Sequence, residues 1–220
     1  MISADMQTHP ISGATLIEEI DSNKDLLALH RMHAGRYPCL LESVAHESSQ
    51  GRYDILFAFP GATLSLSANG TLTGNALKTE GNDFLENFDK WWRQENNAID
   101  TPPEGSSDLP FTGGWFVYLG YELLTQIETS VPLASSPSSR LPVAFATRFP
   151  AAIIRDHALK KTFLIAEPDH AALLDMMEQD IANPNPSPSP HPSTIQKKGF
   201  LESPIQEDAA EKYLEAVERI

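Results

Sequence analysis

The stretch PFTGGWFVYLGYE, from Pro110 to Glu122, contains a glycine pair, a run of large apolar residues and a Gly-Tyr-Glu step. Paired glycines permit positive φ angles and let another part of the chain or a ligand come close to the backbone. The run from Trp115 to Leu119 lacks polar alternation, which predicts a strand that is buried on both faces. This stretch therefore predicts a glycine turn that leads into a core strand.

Composition limits the class of protein. The chain has 220 residues, of which 41% are hydrophobic, so it can hold one sizeable domain, or one domain and part of another. The formal net charge of −14 argues against nucleic acid and anionic membranes as partners. The single cysteine excludes an internal disulfide, and the sequence has no run of about 18 apolar residues to span a bilayer. We expect a cytoplasmic protein.

Strand and helix patterns mix without a regular βαβ rhythm, which favours an α+β fold with antiparallel or mixed sheets flanked by helices. Strands are predicted over residues 14–20, 39–41, 54–59, 63–67, 151–154 and 162–166. Helices are predicted after a cap at Asp21 or Ser22, over 82–93 and over 170–181. In the helix over 82–93, the residues expected to face the core are Phe84, Leu85, Phe88, Trp91 and Trp92. Asn69-Gly70 predicts a hairpin turn.

The C-terminal part of the sequence predicts a linker and the start of a second domain. The segment NPNPSPSPHP, residues 183–192, cannot form a helix or a central strand, because proline lacks an amide donor and restricts φ. The segment 207–220 then has a helical pattern whose apolar face needs a cover. We expect a loose leader over 1–12, a domain over 13–182, a linker over 183–200 and the first helix of a truncated domain over 201–220.

Two blocks of this sequence resemble the N-terminal region of the chorismate-utilising synthases, anthranilate synthase component I and aminodeoxychorismate synthase component I. The first is Pro110–Glu122. The second is CLLES at 39–43 followed by GRYDIL at 51–56, which resembles the LLES…GRYS segment of the family. The predicted hairpin over 148–166, with Asp156-His157 at its turn, is a weaker third match. The resemblance covers about residues 13–180 and is closer to the aminodeoxychorismate enzyme.

No catalytic residue and no metal ligand is predicted in this chain. The sequence contains no nucleophile elbow, no P-loop and no paired-histidine zinc motif. His30 and His33 are three residues apart on a predicted helix, but no third ligand lies nearby in the sequence, which favours surface residues. The resemblance implies that the acidic residues that hold Mg²⁺ and chorismate belong to a C-terminal catalytic domain. We therefore expect this chain alone to be inactive.

The resemblance implies a tryptophan site between the two domains. It assigns this site to Ser43, Gln50, Gly51, Arg52 and Tyr53. A serine hydroxyl and loop backbone groups can bind the charged ends of an amino acid, and a tyrosine can contact an indole face. The alternative interpretation is a strand–loop–strand whose arginine forms a surface ion pair. A second set is expected to be a structural motif: Gly113, Gly114, Gly120, Tyr121 and Glu122.

The resemblance implies a role in aminodeoxychorismate synthase component I, which converts chorismate and ammonia to 4-amino-4-deoxychorismate for para-aminobenzoate and folate biosynthesis. The implied partners are a chorismate-binding domain, a glutamine amidotransferase component II and L-tryptophan, with Mg²⁺ in the complete enzyme. Three alternatives stay open. They are the same region of anthranilate synthase component I, a free-standing tryptophan-binding module, and a domain used only for subunit contact.

Overall fold

The computed structural model describes residues 15–21, 24–43, 51–76, 78–96, 109–128, 130, 141–182 and Leu214. The chain divides into two units, Met1–Ser187 and Pro188–Ile220. Every described residue except Leu214 belongs to the first unit. The predicted linker lies outside the described residues. Of the predicted helix over 207–220 only Leu214 is described, as an exposed helical residue.

The first unit contains two antiparallel sheets. The strands are β1 (Leu16–Ile20), β2 (Cys39–Leu41), β3 (Tyr53–Ala58), β4 (Thr63–Leu66), β5 (Leu72–Gly74), β6 (Gly114–Leu119), β7 (Ala144–Phe149), β8 (Ala151–Asp156) and β9 (Lys161–Ala166). The helices are α1 (Leu26–Met32), α2 (Phe84–Asn96), α3 (Leu124–Ile127) and α4 (Ala172–Ala182). One sheet has the order β1-β9-β8-β3-β2, and the other has the order β5-β4-β7-β6. The predicted α+β class with helices beside antiparallel sheets is confirmed.

The five-stranded sheet packs one face against α1 and α4. Leu56 and Ile153 from adjacent strands are fully buried on this face, together with Leu29 of α1 and Met177 of α4. The predicted cap of α1 is wrong. Asp25 caps the helix, because its side chain accepts from the N–H groups of Leu27 at 2.9 Å and Ala28 at 3.2 Å.

The four-stranded sheet packs against α2. Phe84 and Trp91 are buried as predicted, and Phe88 packs beside them. Leu85 and Trp92 do not face the core as predicted, since 37% and 47% of their surfaces are exposed. They lie one position after Phe84 and Trp91, which is about 100° further around the helix, and thus turn away from the sheet.

The chain passes between the two sheets at two places. Residues 59–62 join β3 to β4, and Pro150 alone separates β7 from β8. Aromatic side chains fill the space between the sheets. The ring of Phe57 on β3 lies 5.3 Å from that of Phe116 on β6 and 5.4 Å from that of Phe149 on β7. These edge-to-face and tilted contacts are favourable arrangements for aromatic rings in a core.

The β4–β5 hairpin forms where the sequence predicts it. Gly70 has a φ of 78°, the left-handed conformation that the Asn-Gly pair accommodates. The side chains also contribute, since the N–H of Thr71 donates to Asn69 Oδ1 at 3.1 Å and to Ser67 Oγ at 3.2 Å. The turn chemistry and the tertiary structure therefore agree at this hairpin.

Strand β6, which lies within the Pro110–Glu122 stretch, is an edge strand. Among the described strands its neighbour is β7, and the exposed fractions of Val117, Tyr118 and Leu119 are 38%, 38% and 53%. Trp115 and Phe116 do pack inward, against α2 and Phe57. The predicted burial of both faces is wrong for the second half of the strand, because no described element covers it.

Candidate functional site

The predicted tryptophan site lies where β2 ends and β3 begins. Ser43 follows β2 by two positions, and its N–H donates to Asp54 Oδ1 at 3.1 Å. Gly51 is buried just before β3. Gln50 lies outside the described residues. The hydrogen bond to Asp54, which is 2% exposed, therefore holds Ser43 beside the start of β3.

His157 joins this cluster from the turn between β8 and β9. Its Nε2 lies 2.8 Å from Asp54 Oδ2, and its N–H donates to the carbonyl oxygen of Arg52 at 2.8 Å. These contacts arise because β3 pairs with β8, so that Tyr53 lies opposite Asp156. Two blocks about a hundred positions apart in the sequence are therefore held in one polar cluster.

Arg52 is bound to a buried carboxylate. Its Nε and Nη2 donate to Asp156 Oδ2 at 3.0 and 2.6 Å, and Asp156 is fully buried. The guanidinium group also lies over the ring of Tyr53, 4.8 Å from its centroid. This geometry matches the alternative interpretation, in which the arginine forms a surface ion pair, except that its partner Asp156 lies in the interior. An amino-acid ligand at this site would meet an arginine that already has a partner.

The pKa of Asp156 lies below its usual value. Burial alone would raise this pKa, but hydrogen bonds from Arg52 and from the N–H groups of Leu159 and Ala158 favour the ionised form. The two backbone donors lie 3.0 and 2.9 Å from Oδ1. The carboxylate thus fixes both Arg52 and the β8–β9 turn.

This arrangement predicts a pH dependence of stability. The folded-state pKa of Asp156 is lowered. Its carboxylate therefore contributes fully to the free energy of unfolding above the unfolded-state pKa of about 3.9, and this contribution is lost as the pH falls through the folded-state pKa. At pH 6, Asp156→Asn is expected to lower the free energy of unfolding by about 1–3 kcal/mol. Below pH 3 the difference in free energy of unfolding between Asp156→Asn and the unsubstituted chain is expected to shrink.

The measurement is urea unfolding between pH 6 and 2. Asp89→Asn is the matched control, because Asp89 forms an exposed pair with Arg93 on α2. Surface pairs contribute little, so this variant is expected to follow the unsubstituted chain at every pH. A constant difference between Asp156→Asn and the unsubstituted chain over the whole range would contradict the assignment.

The glycine pair belongs to a second cluster, with Arg148 and Glu167, whose contacts were not predicted from the sequence. Gly113 and Gly114 have φ angles of 118° and 143°. A Cβ on Gly113 would overlap the carboxylate of Glu167 and lie 2.7 Å from its Cγ. Glu167 in turn binds Arg148, with Nη2 to Oε1 at 2.5 Å. Because Gly113 has no Cβ, the buried carboxylate of Glu167 can lie against the backbone.

Arg148 connects four parts of the fold. Its Nη1 donates to the carbonyl oxygen of Gly114 at 2.9 Å, and its guanidinium carbon lies 4.7 Å from the ring centroid of Trp115. Its Nε is 3.6 Å from Glu95 Oε2 on α2. The glycine pair signals that another part of the chain can come close, but nothing in the sequence identifies Arg148 and Glu167 as that part, because they lie tens of positions away and belong to no catalytic motif.

The Gly-Tyr-Glu step follows the end of β6. Gly120 donates its N–H to the carbonyl oxygen of Val143 at 2.8 Å, and a Cβ on Gly120 would lie 2.8 Å from the same oxygen. Tyr121 and Glu122 begin a 3-10 helix and are exposed, with 93% of the surface of Tyr121 accessible. Gly120 thus has a packing role, whereas the side chain of Tyr121 stands in solvent.

Comparison with known proteins gives a partial likeness in fold. A crystal structure of anthranilate synthase component I from Streptococcus pneumoniae TIGR4 matches with a TM-score of 0.45 and 19% sequence identity. The match covers 63% of this chain and 31% of that one, so the matched part spans about a third of the length of that protein. No protein-family model and no curated protein matches the chain.

The described residues contain no group of three or more His, Cys, Asp or Glu side chains that could hold a metal ion. His30 and His33, expected at the surface, are half-buried. His30 Nδ1 lies 2.6 Å from the carbonyl oxygen of Tyr37, and His33 Nε2 lies 4.0 Å from Asp180 Oδ1.

In the described part of the chain, no helix is long and apolar enough to cross a membrane.

Proposed function

We propose that this chain is the non-catalytic N-terminal scaffold of a chorismate-utilising synthase and contributes an amino-acid site. The observation that carries the proposal is the cluster of Ser43, Asp54 and His157. It joins the CLLES–GRYDIL block to the 148–166 hairpin, two segments that resemble the family and that contact each other here. The scaffold would support a chorismate-binding domain that supplies the catalytic residues and the Mg²⁺ ligands.

Within this family we propose the aminodeoxychorismate synthase role. Its support is the sequence resemblance around Gly120–Glu122 and in the 148–166 hairpin. The product would be 4-amino-4-deoxychorismate, made from chorismate and from ammonia that a glutamine amidotransferase delivers. Formation of anthranilate by the reconstituted enzyme would instead assign the chain to anthranilate synthase component I.

The proposed amino-acid site is tested by isothermal titration of the 220-residue chain with L-tryptophan. A scaffold that supplies half of a site is expected to bind weakly or not at all until a catalytic domain is added. With the catalytic domain present, Ser43→Ala is expected to weaken binding about tenfold, since it removes a hydroxyl that can bind the charged end of the ligand.

The matched control is Ser65→Ala, because Ser65 lies on β4 in the other sheet. Tight one-to-one binding by the isolated chain would instead identify a free-standing tryptophan module. Equal affinities of the Ser43→Ala and Ser65→Ala variants in the reconstituted enzyme would reject a site at Ser43.

A further inference from the structure

The two described sheets have four edge strands, and three of them are poor templates for further strands. β1 (Leu16–Ile20) carries two adjacent glutamates, Glu18 and Glu19, and β2 and β5 have three residues each. Short strands and charged side chains are common ways to prevent unwanted strand addition. β6 has six residues and no charged one, so this edge lacks both protections.

The backbone of β6 is oriented for hydrogen bonding on its open side. The N–H of Arg148 donates to the carbonyl oxygen of Ala62 and its carbonyl oxygen accepts from Gly61, so the main-chain groups of Arg148 point away from β6. In an antiparallel sheet alternate residues face the same neighbour, so Phe145 and Thr147 bond to their partners Tyr118 and Phe116. The main-chain groups of the alternating β6 residues Trp115, Val117 and Leu119 therefore point to the open edge.

The side chains beside this edge are apolar and exposed. Val117 and Leu119 are 38% and 53% exposed, and Tyr121 follows at 93%. Tyr118 stacks on Phe145 at 5.5 Å, so its ring is held in place although it is partly exposed. An ordered apolar edge whose backbone donors and acceptors meet no described strand has the properties of a strand-addition site.

The charge around the edge selects the kind of partner. Glu122, which follows the end of β6 by three positions, and Glu128 are exposed, and the sequence has no basic residue between Gln94 and Ser139. The whole chain has a net charge of −14, so a second copy would be repelled. Like charges oppose association and opposite charges at the rim favour it, so lysines or arginines beside the added strand would complement this region.

We propose that the open edge of β6 binds an extended apolar segment, flanked by lysine or arginine, of another polypeptide by β-strand addition. The backbone of the added segment would pair with Trp115, Val117 and Leu119, and its apolar side chains would cover Val117 and Leu119. The inference does not depend on the chorismate-related proposal, since it uses the exposure, hydrogen-bond direction and charge of this edge.

The experiment measures fluorescence anisotropy with labelled peptides and the 220-residue chain. The probe is the capped peptide Lys-Val-Thr-Val-Thr-Val-Lys, and its matched control has glutamate in place of both lysines. The lysine peptide is expected to bind at least ten times more tightly than the glutamate peptide. Hydrogen exchange of the β6 amides is expected to slow when it binds.

Two changes test whether the backbone edge is used. Val117→Pro removes a donor on the open side and leaves the bonds to β7, so it is expected to weaken binding at least tenfold with little change in Tm, whereas Val117→Thr retains the donor and the affinity. A lysine peptide N-methylated at every internal amide has no edge that can pair and is expected not to bind, a result that requires no variant.

The proposal is overturned if the lysine and glutamate peptides bind equally, or if the N-methylated peptide binds like the unmodified one. Sedimentation of the chain alone supplies a further outcome. A dimer that Val117→Pro dissociates would show that the edge binds a second copy, which also contradicts the proposal. A monomer that binds the lysine peptide through β6 supports it.

Discussion

Replacing Arg148 with methionine is expected to lower the free energy of unfolding by about 3–5 kcal/mol. The side chains of Arg148 and Glu167 are 12% and 10% exposed, and their ion pair is the shortest contact in the cluster that joins β6, β7, α2 and the end of β9. Methionine retains much of the packing against Trp115 but leaves the Glu167 carboxylate buried without its cation. The buried, uncompensated charge of Glu167 accounts for most of the expected loss. Urea unfolding at neutral pH measures the free energy of unfolding.

The control is Arg93→Met, which removes an arginine from an ion pair whose side chains are 65% and 52% exposed. That variant is expected to lose no more than about 0.5 kcal/mol, since the pair is exposed and the remaining Asp89 carboxylate stays in water. Adding Glu167→Gln to Arg148→Met is expected to restore part of the loss, because a neutral amide costs less to bury than a carboxylate. A loss below about 1 kcal/mol for Arg148→Met would contradict this role.

Replacing Gly113 with alanine is expected to destabilise the fold by at least about 3 kcal/mol. Its φ of 118° is strained for any residue with a Cβ, and such strain costs about 1–3 kcal/mol. The new methyl group would also overlap the Glu167 carboxylate and displace it from Arg148, which adds part of the cost of breaking a buried pair. Thermal and urea unfolding measure the sum.

Gly35→Ala is the matched control for this variant. A Cβ on Gly35 would meet nothing within 4 Å, and its φ lies outside the left-handed region. This variant is expected to lie within about 1 kcal/mol of the unsubstituted chain or to stabilise it slightly, by restricting the unfolded state. Equal stabilities of the Gly113→Ala and Gly35→Ala variants would show that the glycine pair is not required for the Arg148 cluster.

The candidate site was predictable from the sequence only in part. The resemblance placed Ser43, Arg52 and Tyr53 at one loop, and the structure holds them at the junction of β2 and β3. It did not indicate that Asp156 would engage Arg52, because that contact depends on the register of β3 against β8. The amino-acid site itself stays a prediction.

By itself, the sequence determined the features that depend on neighbouring residues. The Asn69-Gly70 turn, the burial of Phe84 and Trp91 on α2 and the mixture of strands and helices follow from local backbone preferences and hydrophobic periodicity. Only the tertiary structure decided that β6 is an edge strand and that Gly113 contacts Glu167. The physical reason is that an apolar run suits a central strand and an uncovered edge equally well, and only long-range pairing determines which neighbours it receives.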